Sequence, residues 1–549
     1  MSTQIPKNLA NITTKIVKNI ISKKPTDELS LMRANRKASR QFNVAPLPKR
    51  QIAQTYDKLV KQGKLKSDPK LSQLLKVRAV RTLSGVAPVT VLTKPFNCPG
   101  QCVYCPHEPG MPTSYLSNEP AAMRAKALKF DPYKQVQYRL KALIANGHSP
   151  EKIELLVLGG TWSAYPRKYQ KWFIKRCFDG ANQFKNVSLG FKTQANHQNK
   201  KIFNLKDAQK INEKAKYNII GITLETRPDW VTEKEIKNLR ELGCTRVQLG
   251  AQILDDKILK LIKRGHTVAD LTRATKLLKD ACFKIDYHIM PNLPGSTIKK
   301  DIKTVEQIFS DERFKPDQIK IYPTIVNQHS ELYKWYQQGK YKPYPHQKLV
   351  DLIIKLKTIV PYYCRINRLI RDIPKESIAA GNKVTNLRQL LESELIKRKL
   401  KCKCIRCREV RSSPLSSLGE GSGVRLFIDK YKSSDGTEYF ISYESKKRDI
   451  IYAFVRLRIP SENENIIFPE LTNAGLIREL HTYGALQTIG SKSQATQHKG
   501  LGKKLMAEAE KIIQKNGLTK VAVISGIGVR GYYKKLDYKL EGTYMIKKL

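Results

Sequence analysis

Acidic side chains are scarce in this sequence: 48 Asp and Glu stand against 101 Lys and Arg in 549 residues, a formal net charge of +53. So large an excess favours a polyanionic partner, because each neutralised phosphate releases counterions. A lysine-rich source proteome would contribute to the same excess. Long apolar runs are missing too. No stretch approaches the ~18 residues of a membrane span, so no membrane partner is expected. The N-terminus lacks an apolar segment followed by a small-residue cleavage site, so no secretory signal is expected. It also lacks acids before Asp27, in the manner of a transit peptide, although a basic helix accounts for that equally. A disulfide framework is the third absence. The ten cysteines include a CxxxCxxC group and a second cluster near residue 404, a pattern of metal or cluster ligation in a reducing cytoplasm.

The length exceeds what one core serves, and two to four domains are expected. Residues 1–80 hold 18 Lys and Arg against 4 Asp and Glu. Ile16, Ile20 and Ile21 recur at helical spacing, predicting a short amphipathic helix. The basic block Arg33, Arg36, Lys37, Arg40, Lys49 and Arg50 then reads as an RNA-backbone contact or as a solvated surface.

Residues 85–330, within an expected barrel domain of 81–360, alternate strand-like runs with amphipathic helices. The runs are Val86–Thr93, Ile153–Gly159, Ile219–Glu225, Arg246–Gly250, Ile285–Met290 and Ile319–Tyr322. Repeated βα units predict a parallel sheet curled into a full or partial barrel. Pro88 suits only the start or edge of its strand, so pairing is expected from Val89 onward. Barrel active sites lie at the C-terminal ends of strands. There stand Gly159-Gly160-Thr161, Glu225-Thr-Arg-Pro-Asp229, Gln248 with Gly250, and His288 to Asn292.

Residues 361–423 read as a connector. It carries Cys402-Lys-Cys404-Ile-Arg-Cys407 in a basic setting. Three cysteines are one ligand short of a closed zinc site; Cys364, His107 or another His would complete it, and three reduced structural thiols are the alternative. Ser412 to Gly423 reads as a linker. Residues 424–549 begin with alternating strands over Arg425–Tyr431, Glu438–Ser445 and Ile450–Ile459, with a turn at Ser434-Asp435-Gly436. The strand around Ile477 to Gly484 follows. Gln497-His-Lys-Gly500-Leu501-Gly502-Lys503 then opens a helix over Lys504–Lys515. Glycine-rich backbone at a helix N-terminus offers N–H groups to a pyrophosphate.

Cys98-Pro-Gly-Gln-Cys102-Val-Tyr-Cys105 organises the chain. Three thiolates at the end of a strand leave one iron of a four-iron cluster open; zinc with another ligand is the alternative. CxxxCxxC resembles the signature of radical S-adenosylmethionine (SAM) enzymes. Gln497-x-x-Gly500-x-Gly502 resembles the acetyl-CoA site of GNAT acetyltransferases. The pair together resembles the catalytic subunit family of Elongator, the tRNA uridine carboxymethyl synthases. Further blocks extend the resemblance over nearly the whole chain, among them Glu119-Pro-Ala-Ala-Met-Arg-Ala, Gly265-His-Thr267, Arg371-Asp-Ile-Pro374, Arg478-Glu479-Leu480-His481 and Tyr532-Tyr533.

That resemblance implies a partial (βα) barrel of the radical SAM type joined to an α+β GNAT domain. It implies a 4Fe–4S cluster on Cys98, Cys102 and Cys105, with Gly159, Gly160, Thr161 and Glu225 on the SAM side. Lys152, Glu479, Leu480, His481, Thr482, Gln497, Gly500, Leu501, Gly502, Lys503 and Tyr533 would contact acetyl-CoA. Lys152, Glu479, His481, Tyr532 and Tyr533 would be catalytic. The implied reaction builds a carboxymethyl group at carbon 5 of the wobble uridine in a tRNA anticodon stem-loop. It needs SAM, acetyl-CoA and an electron donor, and the chain acts as a homodimer or with Elongator-like subunits. A protein lysine acetyltransferase with an idle barrel, or an RNA-binding module, would share parts of the sequence. The three-residue spacer between Cys98 and Cys102 resembles the bacterial and archaeal branch. Phe191 to Asn212 matches no family block and reads as an exposed insertion.

Overall fold

The computed structural model describes residues 7–77, 84–185, 204–384, 386–410, 423–461, 466–483 and 500–549. Helices α1 (Lys7–Ser22), α2 (Glu28–Arg40), α3 (Lys49–Lys61) and α4 (Pro69–Leu75) come first. Asp27 caps α2 in a reciprocal box with Ser30, and Asp68 caps α4. These caps supply acceptors for N–H groups that a helix start leaves unpaired. The four helices close over their own core of Val17, Ile20, Leu31, Ile52, Tyr56, Leu59 and Leu71. The N-terminal segment is thus a small helical domain, and α1 is the helix expected around Ile16, Ile20 and Ile21. Arg33, Arg36, Lys37 and Arg40 lie on α2, and Lys49 and Arg50 open α3.

Seven strands follow in one parallel sheet in sequence order: β1 (Ala87–Leu92), β2 (Lys152–Leu158), β3 (Asn218–Thr226), β4 (Arg246–Gln252), β5 (Lys284–Ile289), β6 (Gln318–Ile321) and β7 (Arg365–Arg368). β1 and β7 are both edges, so the barrel is partial. Pro88 sits on the β1 edge, and pairing with β2 begins at Ala87, two residues earlier than expected. β7 lies in the stretch that reads as connector.

Outward residues Ile153, Leu155 and Val157 of β2 pack into the main core, while Lys152, Glu154, Leu156 and Leu158 line the bore. The alternation follows from the two-residue period of a strand. The helix Leu205–Asn212 buries Ala208, Gln209 and Asn212, so this end of the expected insertion belongs to the fold. Residues 191–203 lie outside the described residues, as does the expected linker at 412–422.

The second sheet is ordered β13-β14-β12-β11-β10-β9-β8. Its strands are β8 (Val424–Ser433), β9 (Gly436–Ser445), β10 (Ile451–Ile459), β11 (Ala474–Thr482), β12 (Lys520–Val523), β13 (Lys539–Glu541) and β14 (Tyr544–Lys548). Ser434 and Asp435 both take positive φ, 48° and 64°, at the β8–β9 turn, as a two-residue hairpin requires. Only β11 and β12 run parallel. The helix Leu501–Lys515 lies between them in the chain and covers one face of the sheet with Leu505, Met506, Ala509 and Ile513.

The other face packs against the N-terminal ends of the barrel strands. Arg478 on β11 pairs with Asp317 just before β6 and with Glu438 on β9, at 3.1 Å for the latter. Lys279 reaches Glu438 at 3.5 Å, and Arg456 reaches Asp317 at 3.5 Å. All of these side chains are buried. Buried charges persist only when paired and hydrogen-bonded, so the network fixes one relative placement of the two sheets. Gly526 lies so near the β3 backbone that a Cβ there would meet the Ile220 carbonyl oxygen at 1.9 Å.

Candidate functional site

The cysteine loop leaves the C-terminal end of β1. Cys102 is buried, and Cys98 and Cys105 are half-buried. A Cβ on Gly100 would lie 3.7 Å from both the Cys98 and Cys102 sulfurs and 2.9 Å from an Arg227 nitrogen. Glycine therefore lets the loop close under a cation. Arg227 is held by Asp229 at 2.9 Å and by the Gly265 carbonyl at 2.8 Å. Buried Arg264 donates to the Gly250 carbonyl at 3.0 Å and to Cys102 Sγ at 3.6 Å. The Cys102 thiol is pulled down to about 5, first by a hydrogen bond from Cys105 and then, against burial, by Arg264. A thiolate-bearing loop between two guanidiniums fits an anionic iron–sulfur cluster.

Below the loop, Tyr115 donates to Glu225 Oε2 at 2.9 Å, and Lys320 stands 3.7 Å from Glu225 Oε1. His288 Nε2 and Gln248 Oε1 are 3.0 Å apart. Gly160 and Thr161 line the same space, and Thr161 Oγ1 is 3.7 Å from Cys98 Sγ. Gly159 does not line it. With φ at 142°, it packs where any Cβ would strike Thr93, so its need for glycine is steric.

From the cysteines, one cavity of about 1890 Å³ runs through the bore to the second sheet. Lys152 at the start of β2 lines its far part with Lys284, Glu479, Leu480, His481, Thr482, Gly500, Gly502, Lys503, Tyr532 and Tyr533. The β11–β12 pairing stops at Ile477 and Val523, whereas β11 runs on to Thr482. The two strands part there and open the sheet toward the cavity. Gly500 caps the following helix with φ at 108°, a conformation suited to glycine. A Cβ on Gly502 would come within 2.9 Å of the Tyr532 hydroxyl. The helix start is thus bare backbone under a tyrosine. Leu501 packs into the core of the second sheet. Gln497 lies outside the described residues.

Burial lowers the Lys152 amine. Burial pushes Glu479 up, but Lys284 and then Arg456 hold its carboxyl well below the usual range. Burial brings His481 down to about 4. Its Nε2 has no hydrogen-bond partner among the described residues. Tyr533 is nearly buried and belongs to the second core as well as to the cavity wall.

The second cysteine group is real in space. The sulfurs of Cys402, Cys404 and Cys407 all lie within 4.8 Å of one another. Buried Cys364 is not in that group, although its carbonyl accepts from Ile405 N at 3.0 Å. Lys357 Nζ is 3.8 Å from Cys407 Sγ.

Residues 94–308 match the Radical SAM superfamily, and residues 316–397 match the Radical_SAM C-terminal domain. A tRNA uridine(34) acetyltransferase of Methanocaldococcus infernus is 42% identical over 87% of this chain and 88% of its own. Elongator complex protein 3 of Homo sapiens is 36% identical over 86% of each. The chain belongs to this Elongator protein 3 family. The solved Methanocaldococcus infernus Elp3 lacking residues 1–46 superposes with a TM-score of 0.70 at 39% identity, covering 85% of this chain and all of that one. As a radical SAM member of the Elp3 family, the chain is implied to carry a 4Fe–4S cluster and SAM.

Sequence reasoning passed over Arg264, Lys284, Lys320 and Arg456. Arg264 had a signal, since it directly precedes the Gly265-His-Thr267 block. The others have none, because a lone Lys or Arg on a strand reads as solvent-facing. No described helix is long and apolar enough to cross a membrane.

Proposed function

We propose that this protein adds a carboxymethyl group to carbon 5 of uridine 34, the wobble uridine of a tRNA anticodon, with acetyl-CoA as the carbon source. The single observation that supports this reading is the continuous cavity, which has the cysteine loop at one end and the bare helix start at Gly500 to Lys503 at the other. When bound, the cluster and SAM supply one-electron chemistry able to remove a hydrogen from an acetyl methyl group. Cys98, Cys102 and Cys105 hold the cluster, with Gly160, Thr161 and Glu225 toward SAM.

Gly500, Gly502 and Lys503 receive the pyrophosphate of CoA. Leu480 and Thr482 flank the pantetheine arm where β11 and β12 part. Lys152 meets the acyl end at the mouth of the bore, and Tyr532 and Tyr533 close the arm from the other side. His481 is neutral at pH 7, and its buried, unpartnered Nε2 would take a proton from the water that releases CoA. Glu479 is committed to Lys284 and Arg456, so it positions rather than abstracts. The Cys402, Cys404 and Cys407 group holds zinc and braces β7 against the second sheet. The basic faces of α2 and α3 bind the tRNA backbone. A cytoplasmic setting with an electron donor completes the requirements, with a second copy or Elongator-like subunits as partners.

The test feeds isotope-labelled acetyl-CoA and SAM to the reduced protein with tRNA and reads nucleosides by mass spectrometry. Label on uridine is expected only with SAM present, and is lost in Tyr533→Ala while iron content holds. Label on protein lysine without SAM, and none on tRNA, would instead make this a lysine acetyltransferase.

A further inference from the structure

We propose that the exposed ring patch formed by Phe96 and Trp172, rimmed by Lys94, Lys168 and Lys171, docks the electron donor, a small acidic low-potential electron-transfer protein. The proposal rests on the cluster reading of Cys98, Cys102 and Cys105. Two large aromatic side chains are exposed here, Phe96 at 37% and Trp172 at 45% of full exposure. Phe96 lies two residues before Cys98, in the exposed stretch from Lys94 to Asn97.

The patch is joined to the cysteine loop by packed rings. Phe96 stacks on Tyr165 at 4.7 Å, Tyr165 on Tyr169 at 5.2 Å, and Tyr169 lies 5.6 Å from Trp172. The Tyr165 hydroxyl is 2.8 Å from Thr93 Oγ1 and donates to the Lys94 carbonyl at 2.9 Å. Lys94 N donates to the Tyr169 hydroxyl at 3.1 Å. The loop that leads into Cys98 is therefore braced on the rings, and a donor seated on them sits beside a cluster ligand. Electron tunnelling decays steeply with distance, which favours a donor seated beside the loop that carries the cluster ligands.

The chemistry of the rim selects the partner. Lys94 stands 5.1 Å over the Tyr169 ring, and Lys168 and Lys171 are exposed on the helix Arg167–Asn182. The only carboxylate paired with these three lysines among the described residues is Glu241, 3.2 Å from Lys171 and itself half-exposed, a surface pair of little strength. A cationic rim around an apolar centre steers an acidic protein into place. Electron-transfer encounters use small interfaces, under about 1,200 Å², which suits a patch of this kind. An RNA strand stacks successive bases on free ring faces; Tyr165 and Tyr169 are engaged with one another, which leaves one face of Phe96 and the Trp172 ring. In the transfer itself the donor loses one electron, the cluster gains it, and no bond is made or broken.

The probe is flavodoxin hydroquinone, with Trp172→Ser and the pair Lys168→Glu/Lys171→Glu as variants. Stopped-flow absorbance reads cluster reduction, with dithionite as a small-molecule control. About a tenfold slower reduction by flavodoxin is expected, with the dithionite rate, iron content and tRNA affinity unchanged. Calorimetric titration of cluster-free protein with flavodoxin at low salt should show binding that both variants weaken about tenfold; this arm does not depend on the cluster. Equal flavodoxin rates in wild type and variants overturn the proposal, as does absence of flavodoxin binding. A fall in tRNA affinity with an unchanged flavodoxin rate would make the patch an RNA contact instead. Failure of the wild type to take up iron, with flavodoxin binding intact, would count against the cluster reading alone.

Discussion

Lys284, the first residue of β5 in the barrel, holds its Nζ 3.2 Å from Glu479 Oε1 on β11 of the second sheet. The other oxygen of Glu479 accepts from Arg456 Nε at 2.9 Å. One carboxylate thus ties two domains together inside the shared cavity. Glu479→Gln is expected to destabilise the protein by about 3 kcal/mol, because it leaves buried cations unneutralised. Urea unfolding of wild type and mutant at pH 7 measures this. The sign with pH follows from the depressed carboxyl. Its contribution is complete above the ordinary carboxylate range of about 4.3 and is lost as pH falls through the lower folded value. The gap between wild type and Glu479→Gln should therefore shrink on acidification below pH 4.

Cys102→Ala is expected to abolish iron binding while CoA binding persists. The buried Cys102 thiolate is the member of the loop that Arg264 touches, and no other cysteine follows at that spacing. Iron assay and visible absorbance after anaerobic reconstitution check it. CoA affinity measured alongside guards against misfolding.

Much of this was legible because the signals are local. Cys98, Cys102 and Cys105 lie within eight residues, so spacing alone conveys their meeting. Arg264, which completes their setting, is 162 residues away from Cys102 and no periodicity points to it. Six barrel strands announce themselves by apolar runs. β7, Arg-Ile-Asn-Arg, has one apolar residue in four and is recognisable only once β6 is there to pair with it. Arg456, Arg478 and Asp317 are buried side chains that charge alone places on a surface. The N-terminal core was hidden the same way, its apolar residues interleaved with lysines and arginines that the helices turn outward.

The Cys402 group is expected to carry one zinc per chain. Cys404→Ser should release it, as elemental analysis of protein with the iron site mutated will read. Because Ile405 is hydrogen-bonded to Cys364 next to β7, metal loss should also lower the thermal midpoint. Stoichiometric zinc retained in the mutant would assign the metal elsewhere.

The basic face of α2 is expected to give tRNA affinity that is steep in salt and blind to sequence. Replacing Arg33, Arg36, Lys37 and Arg40 by Gln should lower affinity for all tRNAs. It should also reduce the slope of log affinity against log salt by about 0.7 to 0.9 for each phosphate no longer neutralised. The helices should stay folded, since the α2 residues buried in the described structure are Leu31, Ala38 and Ser39. Filter binding over a salt series, with circular dichroism as the control, tests both statements. An unchanged slope would make α2 an ordinary solvated face.

Barrels of this general kind are usually solid, their middles stuffed with branched side chains. This one is closer to a pipe, with Lys152, Glu154, Arg246, Gln318 and Lys320 facing an open lumen. Its filling is polar and thin, Arg246 on β4 reaching Glu154 on β2 and Gln318 on β6, and it is also slit along one side between β1 and β7. Its roundness is set by the outer wall of helices and by the sheet fastened across one end through Arg478, Asp317 and Glu438. The second sheet is therefore the end plate of the radical SAM barrel. Cutting the chain between the two should yield a collapsed tube and a plate with a raw charged face, each insoluble until the other is supplied.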